Sequence, residues 1–263
     1  MVGCAMSDIS ADKDYNIPKV IHYCWFGGGP KSELMLKCLQ SWKQYFPTYE
    51  IIEWNESNYD VNQNAYCKEA YENKKWAFVS DYARLDIIYK YGGIYFDTDV
   101  EVQKNFEDKL INYGYLGFEN CSNVKDVATG LGFAAKAGDP VVRAMLTEYD
   151  DIHFINDGIL DLTPCPKRNT AALVKLGLIP DGTMQIIGNI KIYPFEYFCG
   201  IDIANSHPYI TENTCTVHHY SATWREKAGF FQRIKYNIIV PILQKLLGYE
   251  RYDQLISFKH RND

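Results

Sequence analysis

The sequence predicts an α/β fold built on a mixed, mainly parallel central sheet. Residues 18–26 read PKVIHYCWF and residues 49–54 read YEIIEW, and both runs are rich in β-branched and aromatic residues. Between them, residues 32–46 place apolar side chains at helical spacing, with Ser32 as the N-cap. A strand, a helix and a strand within about 37 residues predict a βαβ unit and therefore a parallel sheet.

The remaining elements follow along the chain. Residues 80–91 predict a helix that ends at Gly92, because glycine favours the position just after a helix. The stretch GIYFDTDVEV, residues 93–102, predicts a third strand, and Pro140 begins a helix over 140–152. Short strands with turns are expected in four further segments, at 113–120, 130–139, 190–198 and 214–224.

Composition excludes several classes of protein. The net charge of −6 and the isoelectric point near 5.6 argue against a nucleic-acid-binding surface. Eight scattered cysteines without a CxxC pair match no zinc site and predict reduced core residues. Neither a signal peptide nor a run of about 18 apolar residues is found, so we expect a cytoplasmic protein, with peripheral contact to the inner face of the membrane as the alternative.

Two end segments differ from the middle of the chain. Residues 1–16 are polar and are predicted to be disordered, and residues 17–228 are predicted to form one domain. Residues 229–263 mix Phe, Ile and Leu with Arg and Lys, which predicts a basic amphipathic helical tail. Such a tail can pack on the domain or lie on an anionic membrane surface, and the sequence leaves both readings open.

Two carboxylates one residue apart follow the apolar run YGGIYF. In an extended chain Asp97 and Asp99 point to the same face, with their α-carbons roughly 6.6 Å apart. Oxygen ligands of this kind suit Mn²⁺ or Mg²⁺, and a cation removes the repulsion between the two anions. The alternative is that both are solvated loop residues beyond the end of the strand.

Other charged residues suggest partners for this pair. Asp81 and Arg84 lie three residues apart on one face of the predicted 80–91 helix, within an apolar stretch. His218 and His219 lie in a predicted strand and point to opposite faces, so one of the two can add an imidazole ligand.

The order HYCWFGG, SDYARLDIIYKYGGIYFDTDVE and VHHYSATW resembles the DxD glycosyltransferases of GT-A fold. It is most similar to glycosyltransferase family 32, which includes initiating mannosyltransferases and bacterial capsule and lipopolysaccharide enzymes, and more distantly to the glucosylating domain of large clostridial toxins. The resemblance implies a GT-A, Rossmann-like catalytic domain at 17–228. It also implies Mn²⁺- or Mg²⁺-dependent transfer from a nucleoside-diphosphate sugar, with a UDP-sugar favoured, to a glycan or lipid-linked acceptor in bacterial surface polysaccharide synthesis, with retained configuration.

The resemblance also implies which residues bind the donor. Trp25 would stack on the nucleotide base, and Asp81 and Arg84 would hydrogen-bond the donor sugar. Tyr95 would line the donor pocket, and Trp224 would close over the donor.

The same resemblance implies the metal ligands and the catalytic residues. Asp99 would ligate the metal, and Asp97 would contact the ribose and the metal-bound phosphate. His218 would be a further ligand, with His219 as the alternative. Asp97, Asp99 and Arg84 would act in catalysis, since metal and guanidinium both neutralise the departing diphosphate.

Two other functions fit parts of the pattern. IYFDTDV also matches the strand and DxDx[TV] of haloacid-dehalogenase-like phosphohydrolases, in which Asp97 would be the nucleophile and Asp99 the acid/base. A non-catalytic nucleotide-sugar-binding protein would keep the same constellation without turnover.

Overall fold

The structure is a computed structural model that describes residues 16–110, 112–119, 125–202 and 207–221. The helices are α1 Glu33–Tyr45, α2 Ala65–Glu72, α3 Trp76–Tyr91, α4 Pro140–Thr147, α5 Cys165–Lys175 and α6 Phe195–Phe198. The strands are β1 Val20–Cys24, β2 Glu50–Trp54, β3 Gly93–Tyr95, β4 Val100–Val102, β5 Gly114–Gly117, β6 Phe133–Ala135, β7 Ile155–Asn156, β8 Ile159–Leu160, β9 Gln185–Ile187, β10 Ile190–Tyr193, β11 Ile201–Asp202, β12 His207–Pro208 and β13 Thr216–His218.

A seven-stranded sheet in the order β2-β1-β3-β6-β5-β10-β9 forms the centre of the described chain. The pairs β1–β2, β1–β3 and β5–β10 are parallel, whereas β3–β6, β5–β6 and β9–β10 are antiparallel. Five of the seven strands therefore run in one direction, and the predicted mixed, mainly parallel α/β sheet is confirmed. The carboxyl ends of β1, β3 and β5 lie along one edge of this sheet.

The predicted βαβ unit is present as β1, α1 and β2. The side chain of Ser32 caps α1 by accepting a hydrogen bond from the amide of Met35. Trp42 of α1 is fully buried, and its Nε1 donates to the carbonyl oxygen of Val100 at 2.7 Å. This bond ties the helix to β4, next to the carboxylate pair.

Helix α3 begins at Trp76, four residues before its predicted start, and ends at Tyr91, with Gly92 directly after it as predicted. Gly92 has a φ of 66°, in the left-handed region that glycine adopts without strain. Gly93 follows with a φ of 106°, and a Cβ there would stand 2.7 Å from the carbonyl oxygen of Val20. The two glycines therefore let the chain turn from α3 directly into β3 against β1.

The prediction of one continuous strand over residues 93–102 is wrong. Strand β3 ends at Tyr95, and a turn follows in which the amide of Val100 donates to the carbonyl oxygen of Asp97 at 3.0 Å. The chain leaves the large sheet at this turn, and strand β4 pairs with β13 instead. Asp and Thr favour turns because their short polar side chains compete with strand hydrogen bonds, and Asp97, Thr98 and Asp99 fill this one.

Three further predictions on secondary structure need correction. The predicted strand at 190–198 ends at Tyr193, because Pro194 stops it and residues 195–198 form the short helix α6. The helix at 140–152 ends at Thr147. Helices α2 and α5 were not predicted.

The sheet is covered on both faces by apolar side chains. The larger cluster packs α2, α3, α4 and α5 against one face, and a second cluster around Trp42, Phe96 and Phe106 covers the other. Neighbouring residues of β3 alternate between the clusters, with Ile94 in the second and Tyr95 in the first. The described cysteines are buried core residues, as predicted: Cys24, Cys38, Cys67, Cys165, Cys199 and Cys215.

Several predictions fall outside the described residues. These are the predicted disorder of residues 1–16, of which only residue 16 is described, the predicted role of Trp224, and the predicted tail at 229–263. Within the part of the chain that is described, no helix is both long enough and apolar enough to cross a membrane.

Candidate active site

The turn between β3 and β4 places both carboxylates of the DxD sequence at one edge of the sheet. Asp97 is oriented by two donors on one oxygen, since the hydroxyl of Tyr95 and Nη2 of Arg84 reach its Oδ1 at 3.0 and 3.1 Å. Asp99 is almost fully buried. Its backbone oxygen accepts a hydrogen bond from the amide of His219 at 3.0 Å, which joins the turn to the end of β13.

Arg84 connects Asp81 to the DxD turn. Its Nη2 lies 3.0 Å from Oδ1 of Asp81, as the spacing on the helix predicts, and the same nitrogen reaches Asp97. Only 4% of the Arg84 side chain is exposed, so this ion pair is enclosed. The guanidinium also lies over the ring of Tyr95, 5.2 Å from its centroid.

The electrostatics of these groups follow from burial and from Arg84. Burial raises the pKa of Asp81 and of Asp97, and the neighbouring Arg84 opposes this rise in both. The two carboxylates in turn hold the pKa of Arg84 well above its usual value despite its burial. The guanidinium therefore stays charged and compensates the buried Asp81 carboxylate and the half-buried Asp97 carboxylate.

The structure separates the two histidines. His218 Nε2 lies 3.0 Å from Oδ1 of Asp99, whereas His219 Nε2 lies 2.8 Å from Oε2 of Glu101, which also binds Lys37. Burial lowers the pKa of His218, but the hydrogen bond and charge of Asp99, together with the charges of Asp97 and Glu119, raise it by more, so that it lies above the ordinary value. Only His218 therefore faces the carboxylate pair.

Asp97, Asp99 and His218 form a group that can hold a divalent cation. One ligand atom from each residue lies within 4.8 Å of the others. Two carboxylates and an imidazole match the preferences of Mn²⁺, and a cation would offset the repulsion between the anions. The Nε2 atom of His218 contacts Asp99, whereas its Nδ1 atom is buried and has no hydrogen-bond partner in the protein. The residues present thus fit a metal.

A loop that the sequence did not single out closes over the same carboxylate. A Cβ at Gly130 would stand 2.6 Å from Oδ2 of Asp97 and 3.3 Å from Nη1 of Arg84. Beside it, Thr129 Oγ1 lies 4.0 Å from Sγ of Cys165, and that sulfur accepts from Nη1 of Arg84 at 3.5 Å. The glycine-rich sequence TGLGF was the sequence signal from which this loop could have been identified, but it was predicted only as a strand with turns.

The other predicted donor-binding residues differ in exposure. Trp25 follows β1 at the sheet edge and is half-buried, and its Nε1 donates to the carbonyl oxygen of Gly29 at 3.0 Å. Tyr95 is 1% exposed. It therefore acts through its hydroxyl on Asp97 rather than by offering an open wall to a ligand.

The fold and the site together define an α/β protein with a carboxylate pair that can hold a cation at the sheet edge. Residues 32–116 match the family model described as the glycosyltransferase sugar-binding region containing a DXD motif. This match spans α1 to β5 and includes Asp81, Arg84 and both carboxylates of the pair. It confirms the predicted resemblance to DxD glycosyltransferases.

Known proteins with similarity to the chain include a curated relative and solved structures. Subversion of eukaryotic traffic protein A from Legionella pneumophila is 26% identical over 136 residues, which cover 41% of this chain and 20% of the relative. The chain thus matches about a fifth of that protein's length. The structure of PaToxG glycosyltransferase gives a TM-score of 0.46 at 18% identity and covers 61% of this chain and 69% of its own. A glycosyltransferase involved in glycosylation of the major capsid of PBCV-1 gives a TM-score of 0.42 at 13% identity, with 78% of this chain and 95% of its own covered.

Proposed function

We propose that the chain is a metal-dependent glycosyltransferase of family 32 that uses a nucleoside-diphosphate sugar as donor. The juxtaposition of Asp97, Asp99 and His218 at the sheet edge supports this proposal most directly. His218 is 119 residues from Asp99 in the sequence, yet its Nε2 lies 3.0 Å from Oδ1 of Asp99. The two carboxylates belong to the segment that matches the DXD sugar-binding region.

Asp99 and His218 would hold Mn²⁺, or Mg²⁺ as the alternative, together with Asp97. The bound ion would neutralise the charge that develops on the departing diphosphate. Arg84 fixes the orientation of Asp97 and Asp81 and adds positive charge to the same region. Since Arg84 is enclosed, its effect on the reaction would pass mainly through these two carboxylates.

Trp25 and Asp81 would bind opposite ends of the donor. Trp25 offers a half-buried ring for stacking on the base at the end of β1. Arg84 lies between the Asp81 carboxylate and the DxD turn. In this position Asp81 can accept hydrogen bonds from the hydroxyls of the sugar. A UDP-sugar is the favoured donor, with GDP-mannose as the alternative, and the transfer would retain the anomeric configuration.

The acceptor is proposed to be a glycan or a lipid-linked saccharide of a bacterial surface polysaccharide. The protein would then work in the cytoplasm, and the basic residues at 229–263 would bring it to the inner face of the membrane. Transfer assays with extracts of bacterial membranes test this acceptor class.

Ligand-dependent thermal stabilisation tests the proposal. UDP, GDP and their sugars would each be added with Mn²⁺ or with EDTA, to wild type and to Asp99→Asn. A ligand at about 100 times its dissociation constant adds roughly 2.7 kcal/mol of stability. We expect a Mn²⁺-dependent shift with one nucleotide that Asp99→Asn abolishes. Absence of a shift with every nucleotide would overturn the proposal, and release of phosphate from simple phosphate esters would then favour the phosphohydrolase.

A further inference from the structure

His218 differs from a typical metal-binding histidine in how its ring is held. A histidine that ligates a metal usually donates its other ring N–H to a carboxylate or a backbone oxygen, and this bond fixes the orientation of the ring. In His218 the Nε2 atom lies 3.0 Å from Asp99, whereas the Nδ1 atom is buried and has no hydrogen-bond partner in the protein. The orientation of this imidazole therefore depends on packing rather than on a second hydrogen bond.

The ring of Tyr220 packs on this imidazole. The two ring centroids are 4.0 Å apart, and the ring planes are inclined at 52°. Rings at this separation are in van der Waals contact, so Tyr220 restricts the rotation of the imidazole about its side-chain bonds. The side chain of His218 is 12% exposed, which leaves little open space on its other sides.

Tyr220 is itself held in place from two sides. Its hydroxyl lies 3.3 Å from Sγ of Cys199, a fully buried residue, and the same thiol donates to the carbonyl oxygen of Ile201 at 3.1 Å. The Tyr220 ring is half-buried and packs against the second apolar cluster of the sheet. The ring that contacts His218 is therefore anchored to the core.

The backbone conformation of Tyr220 supports a specific role for this position. Its φ of 47° lies in the left-handed region, which is uncommon for a residue with a large side chain. The residue comes two positions after His218, where strand β13 ends. Conformations of this kind persist where the surroundings hold them, and they are concentrated at functional sites. Here the contacts of the ring and of the hydroxyl hold it.

We propose that Tyr220 is a positioning residue that raises the affinity of the site for Mn²⁺ by holding the imidazole of His218 toward Asp99. The inference rests on the proposed function, since it takes Asp97, Asp99 and His218 as the metal ligands. Its physical basis is preorganisation, because an imidazole that is already held in place loses less freedom when it binds an ion. The ring of Tyr220 has this role rather than the hydroxyl, because the ring contacts His218.

Mn²⁺ titrations of the full chain test the inference, with free Mn²⁺ measured by electron paramagnetic resonance. Tyr220→Leu removes the ring, and Tyr220→Gly removes the side chain while suiting the left-handed backbone, so that its fold should be kept. Both should bind Mn²⁺ about 10–100-fold more weakly than wild type, the usual loss for residues that orient a metal ligand. Tyr220→Phe keeps the ring and should bind as wild type does.

Two further comparisons separate an effect through His218 from a general loosening of the fold. Tyr45→Leu is the matched control, because Tyr45 is a half-buried tyrosine that packs against the same apolar cluster but belongs to α1. It should bind Mn²⁺ as wild type does. In the His218→Ala background, adding Tyr220→Leu should cause no further loss of affinity, because the imidazole on which Tyr220 acts is absent. Urea unfolding with EDTA shows that each variant is folded.

The outcomes keep the two proposals apart. Wild-type Mn²⁺ affinity in both Tyr220→Leu and Tyr220→Gly would overturn the inference. Equal losses from Tyr220→Leu with and without His218, or an equal loss in Tyr45→Leu, would show a general packing effect and overturn it as well. An equal loss in Tyr220→Phe would assign the effect to the hydroxyl and against the ring. A wild type that binds no Mn²⁺ would overturn the proposed metal-dependent function itself, and this inference with it.

Discussion

Gly130 and Asp97 are in close contact across the site, because a Cβ at position 130 would stand 2.6 Å from Oδ2 of Asp97. The other oxygen of this carboxylate is already held by Tyr95 and Arg84. Asp97 therefore has little freedom to move away from a larger residue. A side chain at position 130 would therefore displace Asp97, which belongs to the candidate metal group.

Gly130→Ala is expected to weaken Mn²⁺ binding. The added methyl group would push Oδ2 of Asp97 out of position, and we expect an affinity loss of about tenfold, which corresponds to about 1.4 kcal/mol. Electron paramagnetic resonance of free Mn²⁺ measures it. Gly29→Ala is the matched control, because a Cβ there meets nothing within 4 Å. Equal Mn²⁺ affinity in the two variants would contradict this prediction.

The two adjacent histidines are expected to differ sharply in metal binding. His218 lies 3.0 Å from Asp99, whereas His219 is paired with Glu101. Loss of residues that merely orient a metal ligand costs about 10–100-fold in affinity, so His218→Ala should lose at least that much. His219→Ala should bind Mn²⁺ like wild type in the same titration. A larger loss of Mn²⁺ affinity in His219→Ala than in His218→Ala would show that the ion binds beside Glu101.

The sequence predicted the elements with strong local signals. Ser32 and Gly92 mark helix ends by their own chemistry, so α1 and the end of α3 were predicted correctly. The turn at Asp97 and the separate strand β4 were missed, because the pairing of Val100 with His218 joins residues far apart in the chain. The alternation of apolar and polar residues within GIYFDTDVEV does not indicate which strand pairs with β4.

The candidate site could be predicted only in part for the same reason. Residues on one helix, such as Asp81 and Arg84, have a spacing that reveals their contact. Gly130 and Cys165 come to the site from a separate loop and a separate helix, and no local pattern connects them with Asp97. Their positions depend on the order of β3, β6 and β5 in the sheet, which is a property of the tertiary fold.

Arg84→Met is expected to destabilise the fold strongly. It would leave the buried carboxylate of Asp81 and the half-buried carboxylate of Asp97 without their cation, and removal of one partner from a buried ion pair such as Asp81–Arg84 costs roughly 3–5 kcal/mol. Urea unfolding measures this loss. Arg143→Met is the control, because Arg143 pairs with Asp150 at 2.9 Å on the surface, where a pair contributes at most about 1 kcal/mol. Similar losses in both variants would refute the argument.

A buried histidine should make the stability of the fold fall in mild acid. His22 is 2% exposed, its Nδ1 accepts from Nε1 of Trp54 at 3.0 Å, and its Nε2 donates to the carbonyl oxygen of Gly92 at 2.9 Å. This arrangement uses the neutral ring, because a proton on Nδ1 would face the indole N–H. Burial accordingly lowers the pKa of His22 to about 4, and the hydrogen bond to Gly92 offsets only part of this effect.

The direction of the pH effect follows from where the proton binds. Below pH 6.5 this histidine is protonated in the unfolded chain but stays neutral in the folded chain. The contribution of His22 to the free energy of unfolding therefore falls as the pH decreases from 6.5 to about 4, and it stays constant at lower pH. The His22 contribution lost over this interval is about 3 kcal/mol. Urea unfolding of wild type and His22→Gln between pH 7 and 4.5 isolates it, because the carboxylates titrate alike in both. We expect the free energy of unfolding of wild type to fall more steeply with decreasing pH than that of the variant, and parallel curves would show that His22 is already protonated in the fold.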